Sequence, residues 1–564
     1  MAHTSGFADT VLFNGQVFGP ARPASAVALA QGSIVAIGDD QLLDLCGAKT
    51  QRIDMAGGTL LPGFQDAHVH AVEAGLRMLR CDLSQRPHLR DDYLRTVRDY
   101  ANSDDDEWIV GAGWFGDAFP GGWPCRDDLD QVVPARPAVL SSHDAHGVWV
   151  NSAALRRAGI DEATPDPPGG RIHRDTAGRP TGVLVESAVD LVTSLVPPPS
   201  GDLMARALLE AQQYLHSVGV TGWQDAIIGP MWGTPDNLPT YLRLAESGQL
   251  TANVVGALWW HADRGLEQVD ELRERRTRGR AGRFRATSVK IMQDGICENC
   301  TGAMLSPYAA HGHGTGESFI EPDMLAEASR LLDANGFQIH MHAVGDRAVR
   351  ECLDALAAAR RVNPDADNRH QIAHVDVVHP DDVPRFAELG VIANIQALWA
   401  RRDREIVERK LPLLGPERER WHFPFGSLAR AGARLAMGSD WPVTAPDPLW
   451  AIHTAVHRTG PPEDPHSVGD EVHDVPLLRN ESLDLTTAIN AYTAGSAYAN
   501  HNDRYSGTIQ VGKRADLVLL DRPLAKESIS SATTVLTLVD GEEVYRADST
   551  SERSTSHRHT PVRS

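Results

Sequence analysis

LPGFQDAHVH, residues 61–70, holds an apolar entry, a Pro62-Gly63 break, and then Asp66, His68 and His70 in close succession. On an extended strand, side chains repeat every two residues, so His68 and His70 project to one face. Two imidazoles on one face can converge on one metal ion. An isolated H-x-H is more often a solvated or structural strand feature than a metal site. The rest of the chain therefore has to supply further ligands.

Bulk properties narrow the field. The 564 residues exceed a single small core and predict two or three domains, or one large barrel with an appendage. A hydrophobic content of 42% with 23% charged residues is that of a globular protein. The net charge of −21, from 75 acidic and 54 basic side chains, argues against nucleic-acid binding, which needs basic surface. Six cysteines form no disulfide framework, and Cys297 and Cys300 make a lone C-x-x-C. No run of 18 apolar residues appears, and MAHTSGFADT lacks the form of a signal peptide. A cytoplasmic protein without membrane partners is expected.

Outward from LPGFQDAHVH, the N-terminal side reads as short strands: DTVLFNGQVF, SAVALAQGSIVAIG and QRIDMAGGTLLPG, with Asn14-Gly15 as a hairpin signal. Similar material returns near the other end, in TIQVGKRADLVLLDRP and TTVLTLVDGEEVYR. Two incomplete β-regions predict one small β-sandwich domain assembled from both termini, residues 1–60 and 486–546, since chain ends often lie close in space. Between them, 61–485 alternates apolar strand-like runs with helical stretches. The runs include EWIVGAG (107–113), PAVLSSHDAH (137–146), GVTGWQDA (219–226), ATSVKIMQDG (286–295), FQIHMHAVGD (337–346) and ARLAMGSDWP (433–442). Buried strands with crossover helices are the pattern of an α/β fold, either a TIM-like (β/α)8 barrel or a doubly wound sheet. No early G-x-G-x-x-G follows a strand, which favours the barrel. The Ser- and Thr-rich tail, 547–564, is expected to be disordered.

Polar groups recur at or near the ends of these apolar runs. Lys290 sits between Val289 and Ile291, where an uncompensated ammonium would be costly. It can be an ion pair, with Asp294 the nearest candidate in sequence, a snorkelling side chain, or a carboxylated lysine that bridges metals. His340 and His342 repeat the one-face spacing, His374 lies towards the end of HQIAHV, and Asp440 ends LAMGSD. His68, His70, His342, His374 and Asp440 together form an N/O ligand set that suits Zn²⁺, or Fe²⁺, Mn²⁺ or Ni²⁺. A metal with an open position lowers the pKa of water, and a carboxylate such as Asp440 can relay the proton.

In order, LPGFQDAHVH, VKIMQDG, HMHAVGD, QIAHVDVV and GSDWP resemble the motifs of the amidohydrolase superfamily, and more closely its amidohydrolase-3 branch, which includes N-substituted formamide deformylases. The likeness spans roughly residues 9–546. It implies a (β/α)8 barrel with one or two divalent metals. His68 and His70 then match the strand-1 pair, Lys290 the strand-4 bridge, His342 and His374 the strand-5 and strand-6 ligands, and Asp440 the strand-8 carboxylate. His340 matches no usual ligand. His146 falls where the branch has a histidine and Asn151 where it starts a helix; His146 can contact the substrate or polarise its carbonyl, or equally be a hydrogen-bonded loop histidine.

The resulting expectation is a metal-dependent hydrolase of a small linear amide, with formamide deformylation as the specific reading. Trp114, Phe115, Phe119, Trp123 and Trp399 are the aromatics expected to hold a bulky N-substituent. A cyclic amidase or a deaminase would use nearly the same residues, and a non-catalytic barrel module is the alternative from another class. A homodimer is expected on general frequency. Asp66 is read as a residue that orients a ligand histidine.

Overall fold

The computed structural model describes residues 7–548 except 85, 231–232 and 310–313. From 549 onward, the tail expected to be disordered lies outside the described residues.

Eight parallel strands form a TIM-like near-barrel: β1 (Phe64–Val69), β2 (Val220–Ile228), β3 (Asn253–Trp259), β4 (Phe284–Met292), β5 (Gln338–Ala343), β6 (Gln371–His374), β7 (Ile392–Ile395) and β8 (Arg434–Met437). They pair in chain order from β1 to β8. Strands β1, β2, β5, β6 and β7 are buried at every residue, as befits strands covered on both faces. Helices such as Pro322–Ala334 and Asp346–Val362 carry one apolar stripe each and lay it on the sheet.

The ladder stops at β8, and shorter links join it to β1. The Asp440 amide donates to His68 O (2.8 Å), and the His70 amide to Trp441 O (2.8 Å). Gly438 allows this approach: a Cβ there would lie 2.6 Å from the His68 nitrogen. Asp66, fully buried, accepts from the amides of His68 and Ser439 on the two sides of the seam.

The barrel interior is polar below the site. Gln224 donates to Ser288 Oγ and to Gln338 Oε1 (2.7 and 2.8 Å), and Asn394 donates to Gln371 Oε1 (2.9 Å). Buried amides in such a network rigidify the core because each partner is satisfied by another.

Two further sheets come from the chain ends. One has four strands drawn from residues 8–54, and the other joins Gln16–Val17 and Thr59–Pro62 to strands between 517 and 546. Leu12, Val27, Leu60, Leu517 and Leu538 share the apolar core between them.

A correction concerns 107–113 and 137–146. These runs belong to a separate six-stranded sheet, built from Cys81–Asp82 through Pro180–Glu186 and inserted between β1 and β2. Strand-forming composition identifies a buried strand, but it does not say which sheet the strand joins.

Candidate metal centre

The C-terminal ends of the barrel strands face a cleft lined from three directions. The barrel ends supply His342, His374 and Asp440; the inserted sheet and its loops supply Phe115, Asp117, His143 and His146; later barrel loops supply Trp399, Arg401 and Lys410.

His68, His70 and Asp440 bring three ligand atoms within 4.8 Å of one another, a group able to hold a divalent ion. Nε2 of His68 and of His70 lie 3.2 and 3.1 Å from Asp440 Oδ1. All three residues are buried. Asp440 and His374 adopt left-handed backbone (φ 54 and 78), uncommon for residues with a Cβ, and strain of this kind gathers at functional sites. The His374 amide is held by Gln396 Oε1 at 2.9 Å.

The other predicted ligands surround this group. His374 Nδ1 lies 3.9 Å from Asp440 Oδ2 and is buried without a hydrogen-bond partner among the described residues. His342 stacks edge-on against His374, with ring centroids 4.3 Å apart, but its Nε2 points to Gly295 O (3.3 Å). Lys290, buried, places Nζ 3.4 Å from His68 Nε2. Asp294 is not its partner, since its carboxylate accepts from the amides of Ala303, Val344 and Gly345.

Burial decides most charge states here. It holds the pKa of His68, His340 and His374 well below the usual imidazole range, and His342 falls to about 3. Neutral imidazoles keep lone pairs for a metal. Burial also brings Lys290 down to about 8, against the pull of Asp440. Burial opposes the Asp440 carboxylate, but contacts with His70 and His374 outweigh it and lower its pKa. An unpartnered imidazole nitrogen, neutral neighbouring rings and an ionised carboxylate form a donor set that fits a divalent cation.

His146 stands in the cleft wall with Nδ1 3.0 Å from Glu186 Oε2. Burial disfavours its charge, but Glu186 and then Asp144 outweigh that and raise the pKa to about 9. Asn151 caps the helix Ser152–Ala158 by accepting from the Ala154 amide.

The aromatics divide between cleft and core. Phe115 and Trp399 line the cleft, and Trp399 stacks on His374 at 5.3 Å. Trp114 and Phe119 are core residues of the inserted sheet, with Trp123 packed against that core. Several contributors carry no local motif in the sequence. Glu186 is forty residues from His146, and Lys410 is distant in the chain from Glu298 and Asp376, with which it pairs. His340, read as a non-ligand, sits 2.8 Å from His68 Nδ1 and 2.9 Å from Gln224 Oε1, so it ties His68 to the amide network. Asp66 acts on the His68 and Ser439 backbone rather than on a ring.

A parallel near-barrel with a buried His/His/Asp group at its strand ends defines a metal-binding site capable of hydrolase chemistry. The family model for the amidohydrolase family, Amidohydro_3, matches residues 51–545, and the chain belongs to that family. It is 31% identical over 558 residues to Protein LONG AFTER FAR-RED 3 of Arabidopsis thaliana, covering 95% of this chain and 92% of that one. It is 27% identical over 555 residues to an N-substituted formamide deformylase of Arthrobacter pascens, covering 92% and 94%. Among solved structures, its fold is similar to that of an uncharacterized metal-dependent hydrolase from Pyrococcus horikoshii OT3, with a TM-score of 0.69 at 23% identity, covering 92% of this chain and 99% of that one. Among the described residues, no helix is long and apolar enough to cross a membrane.

Proposed function

We propose that the protein is a hydrolase of a linear amide C–N bond, with an N-substituted formamide as its substrate class. The observation that carries this reading is the His68–His70–Asp440 group facing a cleft that His146 and Trp399 also line. The full-length similarity to a formamide deformylase supports the substrate class.

In this reading His68, His70, Lys290, His342, His374 and Asp440 hold one or two divalent ions, Zn²⁺ first and Fe²⁺, Mn²⁺ or Ni²⁺ as alternatives. Such an ion supplies Lewis acidity and a water nucleophile at neutral pH. Lys290 serves best as its carbamate, which replaces a buried ammonium with an anionic oxygen donor. Asp440 takes a proton from the nucleophile and returns it to the departing amine. His146, held cationic by Glu186, donates a hydrogen bond to the substrate carbonyl. Phe115 and Trp399 hold the N-substituent while the small formyl group lies towards Asp440 and His374.

Asp440→Asn tests the assignment. Wild-type protein prepared without chelator is expected to carry divalent metal by elemental analysis and to release formate from N-substituted formamides. The variant is expected to lose about 100-fold or more in kcat while keeping its fold. Metal-free wild type, or a variant as active as wild type, would overturn the reading.

A further inference from the structure

At the opposite end of the barrel from the metal group lies a second cavity, of about 650 Å³, lined by Asn253, Arg280, Arg283, Arg285, Arg514 and Asp540 among others. Asn253 opens β3, Phe284 opens β4, and Arg514 and Asp540 come from the C-terminal part of the chain. Lys290 follows Arg285 by five residues on β4, about 17 Å along an extended strand, so this cavity and the metal cleft are separate.

Its electrostatics run against the rest of the molecule. Four arginines and one aspartate give the lining a formal +3, in a chain of net −21. Arg280 and Arg285 are direct cross-strand partners in a tight hairpin that turns at Gly282 (φ 46). Like charges placed opposite one another destabilise a strand pair, so this arrangement works against folding unless something compensates it.

Compensation within the chain is incomplete. Arg283 pairs with Asp540 at 2.5 Å, and Arg514 lies 3.7 Å from the same carboxylate. Among the described residues, Arg285 meets only neutral groups, Asn500 O and Asn502 Oδ1. Arg280 has no side-chain hydrogen bond or ion pair among the described residues. Burial, Arg514 and Arg280 all lower the pKa of Arg285, the mark of cations crowding one another. Asn253 adds a separate sign. It is 6% exposed, its Oδ1 accepts from Arg514 (2.6 Å), and its Nδ2 is a buried donor with no partner among the described residues.

Guanidinium forks and an amide donor converging in one concavity are complementary to a multivalent oxyanion. We propose that this cavity binds an anion of two or more linked phosphates, either an inorganic polyphosphate or the phosphate chain of a nucleotide. Two uncompensated guanidiniums, and a volume beyond what one phosphate fills, favour the linked form over a single phosphate.

Titration calorimetry on the full, metal-loaded chain at constant ionic strength tests this, with tripolyphosphate and ATP as probes. Wild type is expected to bind tripolyphosphate at one Arg280-dependent site, and Arg280→Glu to bind it there about tenfold more weakly or worse. Arg280→Gln should fall between them. Arg280 is exposed and remote from the metal group, so both variants should keep the wild-type metal content and, relieved of the like-charge pair with Arg285, melt no lower than wild type. Equal affinity for ATP and tripolyphosphate would identify the phosphate chain alone as the ligand, and tighter ATP binding would identify a nucleotide. Phosphate probes can also reach the metal centre, but binding there would be indifferent to Arg280. Affinity unchanged in Arg280→Glu, or no wild-type binding at millimolar probe, overturns the proposal.

Discussion

At His146 two opposing effects act on one proton. Burial favours the neutral ring, while the Glu186 carboxylate 3.0 Å from Nδ1 favours the cation and prevails, placing the pKa at about 9 against an ordinary 6.5. The sign of the pH dependence follows. Below about 9 the ring is charged and can polarise a carbonyl; above it, that capacity is lost. A basic limb near pH 9 is therefore expected in kcat/KM. Glu186→Gln removes the supporting charge and should move that limb to lower pH, with little change on the acid side. An unmoved limb would show that another group sets it. Stability has the same sign, because the folded pKa is raised: the contribution is complete below about 6.5 and disappears as pH rises through about 9. His146 could be singled out from sequence by its place in SSHDAHGVWV. Its carboxylate partner could not, because forty residues and a sheet register separate Glu186 from it.

Strands β1 and β8 show what an element demands of its neighbour. Their seam has a short set of links in place of a ladder, and Gly438 sits where any Cβ would meet His68 at its nitrogen (2.6 Å) and Cβ (2.8 Å). Both contacts are too close, and one is backbone, so Gly438→Ala must part the strands. A cost of about 1–3 kcal/mol is expected, the range for overpacking a tight interior. Calorimetry should show a lower apparent melting temperature, and metal content should fall with it, since His68 and Asp440 lie on opposite sides of the seam. A variant that melts like wild type would show that the seam relaxes freely. At this scale much of the barrel was legible. The alternation of buried runs and helices, and the H-x-H and G-S-D endings, are local signals that strand geometry turns into a shared face. The inserted sheet was not legible, because its strands are as apolar as barrel strands and differ only in their partners. The cleft aromatics divided for a related reason: a tryptophan's size says that it will be buried, not which core will take it. The polar network of Gln224, Gln338, Gln371 and Asn394 was equally hidden, since single amides inside apolar runs carry no periodic signal.

For the molecule as a whole, the metal group is also a structural closure. His68 lies on the first strand, His70 just past its end, and Asp440 just past the last strand, so an ion shared among them would tie the two margins of the sheet together. Without that tie, the seam rests on a few backbone bonds and on Asp66, a carboxylate that burial has already raised to about 6. A ligand that binds only the folded form stabilises it by about 2.7 kcal/mol at a hundred times its Kd. Chelation should remove a contribution of that order, and the loss should be uneven across the chain. Hydrogen exchange followed by mass spectrometry is expected to show faster exchange after metal removal in β1, in β8 and in residues 438–442, where the seam bonds lie. The sheets built from the two chain ends have their own apolar core, and their exchange should stay as it was. Faster exchange spread evenly over the chain would instead mean that metal stabilises the molecule globally. No change at the seam would mean that the ion is held without bearing on barrel closure.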